Sequence, residues 1–392
     1  MDSFAEERFR FQARVARGFG CFFVSRAWDG SFDDYEADFS IYYAAYVVVV
    51  TVAMITYEAF MAIHRILSLM TTAPSFFENL YSLLHLTVAT EVLVNFLVLN
   101  FNTPTIVEAL RAVKRLETSM NFRLQDDEYF WMKRGFRVAL FTMTVLAAAL
   151  CRGFAIAEGT RNLQGTVAFF LTALSVVFTV CYGVIGALVL LHEKYFCVVL
   201  SRFVEFQAES TKKVLCSPHS SEGAKDVTRA IQRLRSSFAV VTDIVRQVDK
   251  SLRFAVVVHF LCSAIAVCIV VYALFAAETS WGKLFFTVLY AIFNSVPVVD
   301  ASFSAGDIRA EAIRLKAILE SASPLALPSR VCRQVELFAL TIDEDELCFT
   351  GSGFFTVDRP MLTSFVGGVM TYSLILVQTG RKSEVPYCGH LR

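Results

Sequence analysis

The chain is poor in charge. Asp, Glu, Lys and Arg make up 18% of its 392 residues, against roughly 25% in a soluble domain. Acids and bases number 36 each, so no net charge draws the protein towards nucleic acid, and no nucleic-acid partner is expected. No secretory leader is visible. Residues 1–38 carry Arg8, Arg10, Arg14, Arg17 and Arg26, and the apolar patch from Phe19 to Val24 is too short for a signal core. The first long apolar run should therefore act as its own insertion signal and stay in the protein. The ten cysteines show neither Cys-x-x-Cys nor Cys/His metal spacing. Most fall in apolar runs or in segments expected in the cytosol, where thiols stay reduced; Cys388, near the end of the chain, is the exception. Gly-x-Ser-x-Gly, His-Glu-x-x-His and the phosphate loop are all lacking. No enzyme, metal site or cofactor is expected.

Apolar residues are what the chain has in excess. They form 56% of it, Phe alone occurs 37 times, and the mean hydropathy is +0.54. A water-soluble fold of this size could not hide that surface. A bilayer core of about 30 Å needs about 20 apolar residues in helix, and seven stretches meet or approach that length: 39–62, 80–101, 136–158, 165–191, 254–277, 283–303 and 361–380. The sixth is interrupted by Asn294 and Pro297, and the seventh contains Gly367, Gly368, Thr371 and Gln378. A span so polar faces protein or water more readily than lipid. The expected fold is all-α, a polytopic membrane protein of seven transmembrane helices. The segments on one side of these runs hold 28 Lys and Arg and those on the other side 6. The positive-inside rule then puts residues 1–38 in the cytosol and the tail 381–392 outside.

All the long connections fall on the cytosolic side. In 192–253, the residues Val227, Ile231, Leu234, Phe238, Val241, Val245, Val248 and Leu252 alternate steps of four and three, a heptad seam that runs into the fifth span. It reads either as an amphipathic helix on the inner leaflet or as a bundle extended into the cytosol; acids on its polar faces favour the bundle. Segment 304–360 is expected to supply further anchor helices, with Ile308, Leu315 and Leu319 on one side. Its acidic run Asp343 to Glu346 lacks calcium-loop spacing and reads as a solvated face.

Within the runs, Glu91 and Arg152 lie at depths that differ by about five residues, or roughly 7 Å, close enough to pair. A structural ion pair and a ligand contact are the two readings. His85 lies near the same depth, and His259 reads as a satisfied core histidine. In the outer halves, Tyr81, His85, Phe169, Phe170, Tyr272, Phe275, Phe286 and Tyr290 could line an apolar pocket with a few polar groups. Core packing and lipid contact are the competing roles for each aromatic.

The stretch from Phe349 to Gln378 reads FTGSGFFTVDRPMLTSFVGGVMTYSLILVQ. It resembles the C-terminal signature of the insect gustatory and odorant receptor superfamily: Thr-Tyr, five mostly apolar residues, then Gln-Phe, preceded by a Phe-Thr-x-x-x-Phe-Phe turn. Thr371, Tyr372 and Gln378 match, as do Phe349, Thr350, Phe354 and Phe355. Ser373 stands at an apolar position and Thr379 where the family has Phe. The resemblance implies a chemosensory receptor in the plasma membrane that works as a ligand-gated cation channel. It implies a homo- or hetero-tetramer surrounded by membrane lipids, with a tastant or odorant pocket in each subunit. The last span would line the central pore. On that span Gly368, Thr371, Ile375, Thr379 and Lys382 share one helical face with Gln378 beside it. Four copies of Ile375 could close by dewetting, and Gln378 could replace an ion's hydration shell. Alternatively Thr371 and Gln378 bond across a helix interface. Two other classes compete with this one. A G-protein-coupled receptor would show Asp-Arg-Tyr, Asn-Pro-x-x-Tyr and the opposite charge bias, and a transporter would show matching halves; none of these is present.

Overall fold

A computed structural model describes residues 4–25, 31–36, 40–71, 76–122, 165–216, 223–275, 281–322 and 327–383. Nine α-helices appear among them: α1 (Phe4–Gly18), α2 (Ile41–Thr71), α3 (Phe76–Phe101), α4 (Thr103–Ser119), α5 (Gly165–Cys216), α6 (Gly223–Phe275), α7 (Trp281–Glu320), α8 (Ser329–Thr341) and α9 (Arg359–Ser383). A short 3-10 turn spans Phe32–Asp34. The described residues contain no β-strand, only an isolated bridge between Thr350 and Thr356. The expected third span, 136–158, lies outside the described residues.

Length separates these helices into two kinds. α5, α6 and α7 run 52, 53 and 40 residues, and 20 residues already cross a bilayer. Each therefore continues well past its apolar stretch into a polar extension. α7 passes through Pro297 without a break, and the stretch that carries Ile308, Leu315 and Leu319 is its continuation. Proline removes one ladder hydrogen bond. In an apolar setting no water competes for the freed carbonyl, and packing holds the helix together across the gap.

α6 is the central element, touching α3, α4, α5, α7, α8 and α9, while the longest single interface joins α5 to α7. Ile231, Phe238, Val241, Val245, Val248 and Leu252 are buried along one side of α6, and Val227 and Leu234 pack at its edge. The Phe238 ring meets Phe338 of α8 edge-on at 5.9 Å. On α7, Ile308, Leu315 and Leu319 are likewise buried. The acidic run is largely exposed, as expected, and also paired: Glu346 binds Arg246 at 3.0 Å, Asp345 binds Arg309 at 3.2 Å and Glu344 binds Lys316 at 3.4 Å. Bases on α6 and α7 converge on it because both polar extensions end beside this loop.

The N-terminal segment folds into the same end of the bundle. α1 buries Ala5, Phe9, Ala13 and Ala16, one face at spacings of four, four and three. The Phe9 ring packs against Phe22, Phe32 and Tyr195. Glu6 ties this layer together: its carboxylate accepts from Ser31 Oγ at 2.5 Å and from the Phe32 amide at 2.8 Å, and pairs with Lys114 of α4 at 3.0 Å. Tyr43 and Tyr46, in the first turns of α2, donate to the carbonyls of Arg17 and Gly18 at 2.9 and 2.6 Å. These bonds fix the end of α1 against the start of the first apolar run.

Candidate functional site

Two features inside the apolar bundle carry chemistry, a buried polar cluster and the last helix. The cluster centres on Glu91 of α3, which is 2% exposed. One carboxylate oxygen accepts from the Tyr290 hydroxyl of α7 at 2.8 Å. The other lies 2.5 Å from Nδ1 of His259 on α6. The second ring nitrogen of His259 faces the Asn294 carbonyl of α7 at 3.2 Å. One turn along α3, Asn95 donates to the Gly186 carbonyl of α5 at 3.0 Å. The cluster therefore joins four helices by bonds that an apolar interior makes strong.

The sequence-expected pocket residues divide sharply. Glu91 meets Tyr290, which packs in one cluster with Tyr272, and His85 and Tyr272 are buried. Tyr272 stacks edge-on with Phe76 at 5.2 Å. Phe169 points away, 75% exposed, as does Phe275. Arg152 lies outside the described residues, as do the side chains of Tyr81, Phe170 and Phe286. The anticipated Arg152 partner for Glu91 is thus not described, while His259 and Tyr290 hold that carboxylate. Sequence reading placed His259 correctly as a core histidine and missed its contact with Glu91. The two lie on helices separated by a long stretch of chain, and their rotations about their axes cannot be read from one sequence.

The last helix has an unusual burial pattern. Only 11% of the apolar window of α9 is buried, against 50 to 56% in α3, α5 and α6. Its packed side is Val369 and Ser373, with Leu376 and Val377 against the cluster that contains Tyr272 and Tyr290. Cys268 of α6 reaches the Val369 carbonyl at 3.6 Å. Ser373, the polar residue at an apolar signature position, is buried and satisfied, its hydroxyl bonding the Val369 carbonyl at 2.7 Å. At 100° per residue, Thr371, Ile375, Gln378 and Thr379 fall opposite this side, and all four are exposed, as is Tyr372. Thr371 and Thr379 turn their hydroxyls back to the carbonyls of Gly367 and Ile375 at 2.9 Å each.

A tight hairpin, 349–357, leads into α9. Val357 donates to the Phe349 carbonyl and Gly351 to the Phe355 carbonyl, both at 2.8 Å. Glycine is required at 351, because a Cβ there would lie 2.3 Å from the Phe355 ring, and at 353, where φ is +79°. The hairpin is pinned to α6 by Asp249, which accepts from the Thr350 amide at 2.5 Å and from its hydroxyl at 3.1 Å. Phe355 and Phe365 both pack on Phe260 of α6. Asp249 was not legible in the sequence, where it sits beside the heptad seam and looks like one more solvated acid.

A family model described as "7tm Chemosensory receptor" matches residues 9–381. No curated protein matches the chain. Among solved structures, the insect olfactory receptor OR5 from Machilis hrabei aligns with a TM-score of 0.65, and the same receptor in complex with eugenol with 0.64. Both are 13% identical to the chain, and each alignment covers 95% of this chain and 98% of the other. At that identity the likeness speaks for the fold, which is the same all-helical one. The family match spans the signature turn, α9 and every apolar helix described above, and with it the chain belongs to the seven-transmembrane chemosensory receptor family, multi-pass membrane receptors rather than enzymes.

Proposed function

We propose that the chain is a gustatory-type receptor of the plasma membrane that works as a ligand-gated, non-selective cation channel. Four subunits, identical or mixed, surround a pore lined by α9. Residues 1–38 and the polar extensions of α5, α6 and α7 lie in the cytosol, and the tail after α9 lies outside, as the 28-to-6 division of basic residues requires. A small tastant or odorant enters among α3, α6 and α7 from the outside, near His85, Tyr272 and Tyr290. Lipid covers the remaining apolar faces.

The observation that carries this reading is the bare face of α9. A helix that contacts its own subunit along one side only, and turns the Gln378 amide to the other, exposes a polar group that lipid cannot satisfy. A water-filled axis shared by several copies satisfies it. Coupling follows from contacts already described: Leu376 and Val377 pack on the cluster of Tyr272 and Tyr290, so a ligand that displaces those rings also displaces the turn carrying Ile375 and Gln378. In the neighbouring solved receptor the ligand is eugenol, a small aromatic molecule; a ligand of similar size suits the candidate pocket here. Current recording from cells expressing the chain tests the proposal: agonist-evoked cation current supports it, and an Ile375→Ala subunit should leak without agonist.

A further inference from the structure

The two halves of α9 are held by different parts of the subunit. In the first half, Met361, Leu362 and Phe365 pack against the main core, which contains Phe260 of α6. In the second half, Leu376 and Val377 pack against the separate cluster that contains Tyr272. None of the residues from 366 to 375 joins either cluster. Polar contacts tie down the first half as well. Arg359 binds Asp307 of α7 at 2.7 Å and lies over the Phe303 ring at 5.1 Å. Asp358 caps the helix by accepting from the Met361 amide at 3.0 Å. Asp249, through Thr350, holds the hairpin just before it. Between the two halves stand Gly367 and Gly368.

We propose that Gly367 and Gly368 form a gating hinge, at which the second half of α9, with Ile375 and Gln378, tilts against a fixed first half. The gating role rests on the channel reading above. A Cβ added at either glycine would meet nothing within 4 Å in the subunit, and neither residue has a positive φ. Packing within the subunit and backbone conformation therefore do not call for glycine at these positions. Glycine weakens a helix interior relative to alanine, and a pair of them makes the helix easy to bend there. Bending stretches the ladder bond from the amide of Thr371 to the Gly367 carbonyl. The Thr371 hydroxyl already donates to that carbonyl at 2.9 Å, so the carbonyl keeps a partner when the amide is drawn away. Ser373 does the same for the Val369 carbonyl at 2.7 Å. The bond from α6 to this stretch comes from the Cys268 thiol, a weak donor, at 3.6 Å from the Val369 carbonyl. A ligand that displaces the Tyr272 and Tyr290 rings carries Leu376 and Val377 with them. The hinge lets that turn move while Arg359 and Phe365 stay on α7 and α6.

Hydrogen exchange on the detergent-purified chain tests the hinge without any ligand. The amides of 369–372 bond to the carbonyls of 365–368 and span the glycines. Corrected for intrinsic rate, they should exchange several-fold faster in the parent than the amides of 364–367 and of 374–377. That is a minimum of protection inside a helix, where fraying from the ends would give the opposite. In Gly367→Ala/Gly368→Ala the minimum should vanish and the melting temperature should hold or rise. Uniform protection along α9 in the parent overturns the hinge. So does a lower melting temperature in the double variant, which would show that packing requires the glycines. Single-channel recording then reads the gating role, with eugenol and other small aromatic molecules as probes. The double variant should show several-fold lower open probability at the parent's conductance. A smaller conductance at unchanged open probability would mean that the glycines only leave room in the pore, and overturns the gating role. If the parent conducts with none of these probes and Ile375→Ala does not leak, the channel reading fails instead, and the exchange result decides the hinge on its own.

Discussion

His259 directs both ring nitrogens at oxygen: Nδ1 lies 2.5 Å from a Glu91 carboxylate oxygen and Nε2 lies 3.2 Å from the Asn294 carbonyl. A carbonyl only accepts, so Nε2 carries a hydrogen. An acid and a base side by side offset each other's loss of water in the apolar interior.

Removing one partner leaves the other stranded. Glu91→Ala and His259→Ala should each lower stability by about 3–5 kcal/mol, read as thermal unfolding of the detergent-purified chain. Glu91→Gln with His259→Gln, which removes both ionisable groups, should cost less than the two alanine variants added together. Additive losses would show that the pair does not act as a unit.

Acid should loosen the N-terminal layer through Glu6. Burial alone would raise its carboxyl, but bonds from Ser31 and Phe32 and the Lys114 ammonium outweigh burial and hold it below the usual range. A depressed folded value means the stabilisation is fully present above the ordinary glutamate range, about pH 4.3, and is lost as pH falls through the lower folded value. The melting temperature of the parent should therefore drop more steeply below about pH 4.5 than that of Glu6→Gln. Parallel curves would remove this role.

Gly351→Ala drives a methyl into the Phe355 ring, at a contact of 2.3 Å. Overpacking of this kind costs about 1–3 kcal/mol and should reduce surface expression. Phe355→Leu in the same chain should recover part of it, since a smaller side chain makes room. Normal expression of Gly351→Ala alone would contradict the tight hairpin.

The seam on α6 should prove essential to the folded subunit. Phe238 and Val245 are buried inside one chain, so Phe238→Asp or Val245→Asp leaves a charge without a partner at a cost of several kcal/mol. Both should reduce the yield of folded subunit and, through it, of any tetramer. Variants that reach the surface and assemble as the parent does would show the seam to be dispensable.

Periodicity made much of this architecture legible. The heptad steps from Val227 to Leu252 marked a face that is buried, and the family signature marked the hairpin and α9 residue by residue. What stayed hidden depends on rotation and distance. Glu91 and His259 are each visible as intramembrane polar residues, yet only the packing of α3 on α6 brings them together. Glu193 reads as an ordinary acid just past an apolar run, yet it is fully buried. The continuity of α7 through Pro297 was not legible either, because local propensity is overridden when a helix is held along its length. The run Asp343 to Glu346 is solvated as it reads, but its three ion pairs stayed hidden because the bases come from two other helices.

The central claim is that the bare face of α9 lines a pore. Its most direct measurement is modification of a cysteine at 375 by a small charged thiol reagent during current recording. The account predicts that Ile375→Cys reacts only when agonist is present and that its current then changes irreversibly, while a cysteine at 369, on the packed side, does not react. Agonist-evoked current that is unaffected by the reagent at 375, with and without agonist, would mean that α9 faces lipid there and does not line the pore.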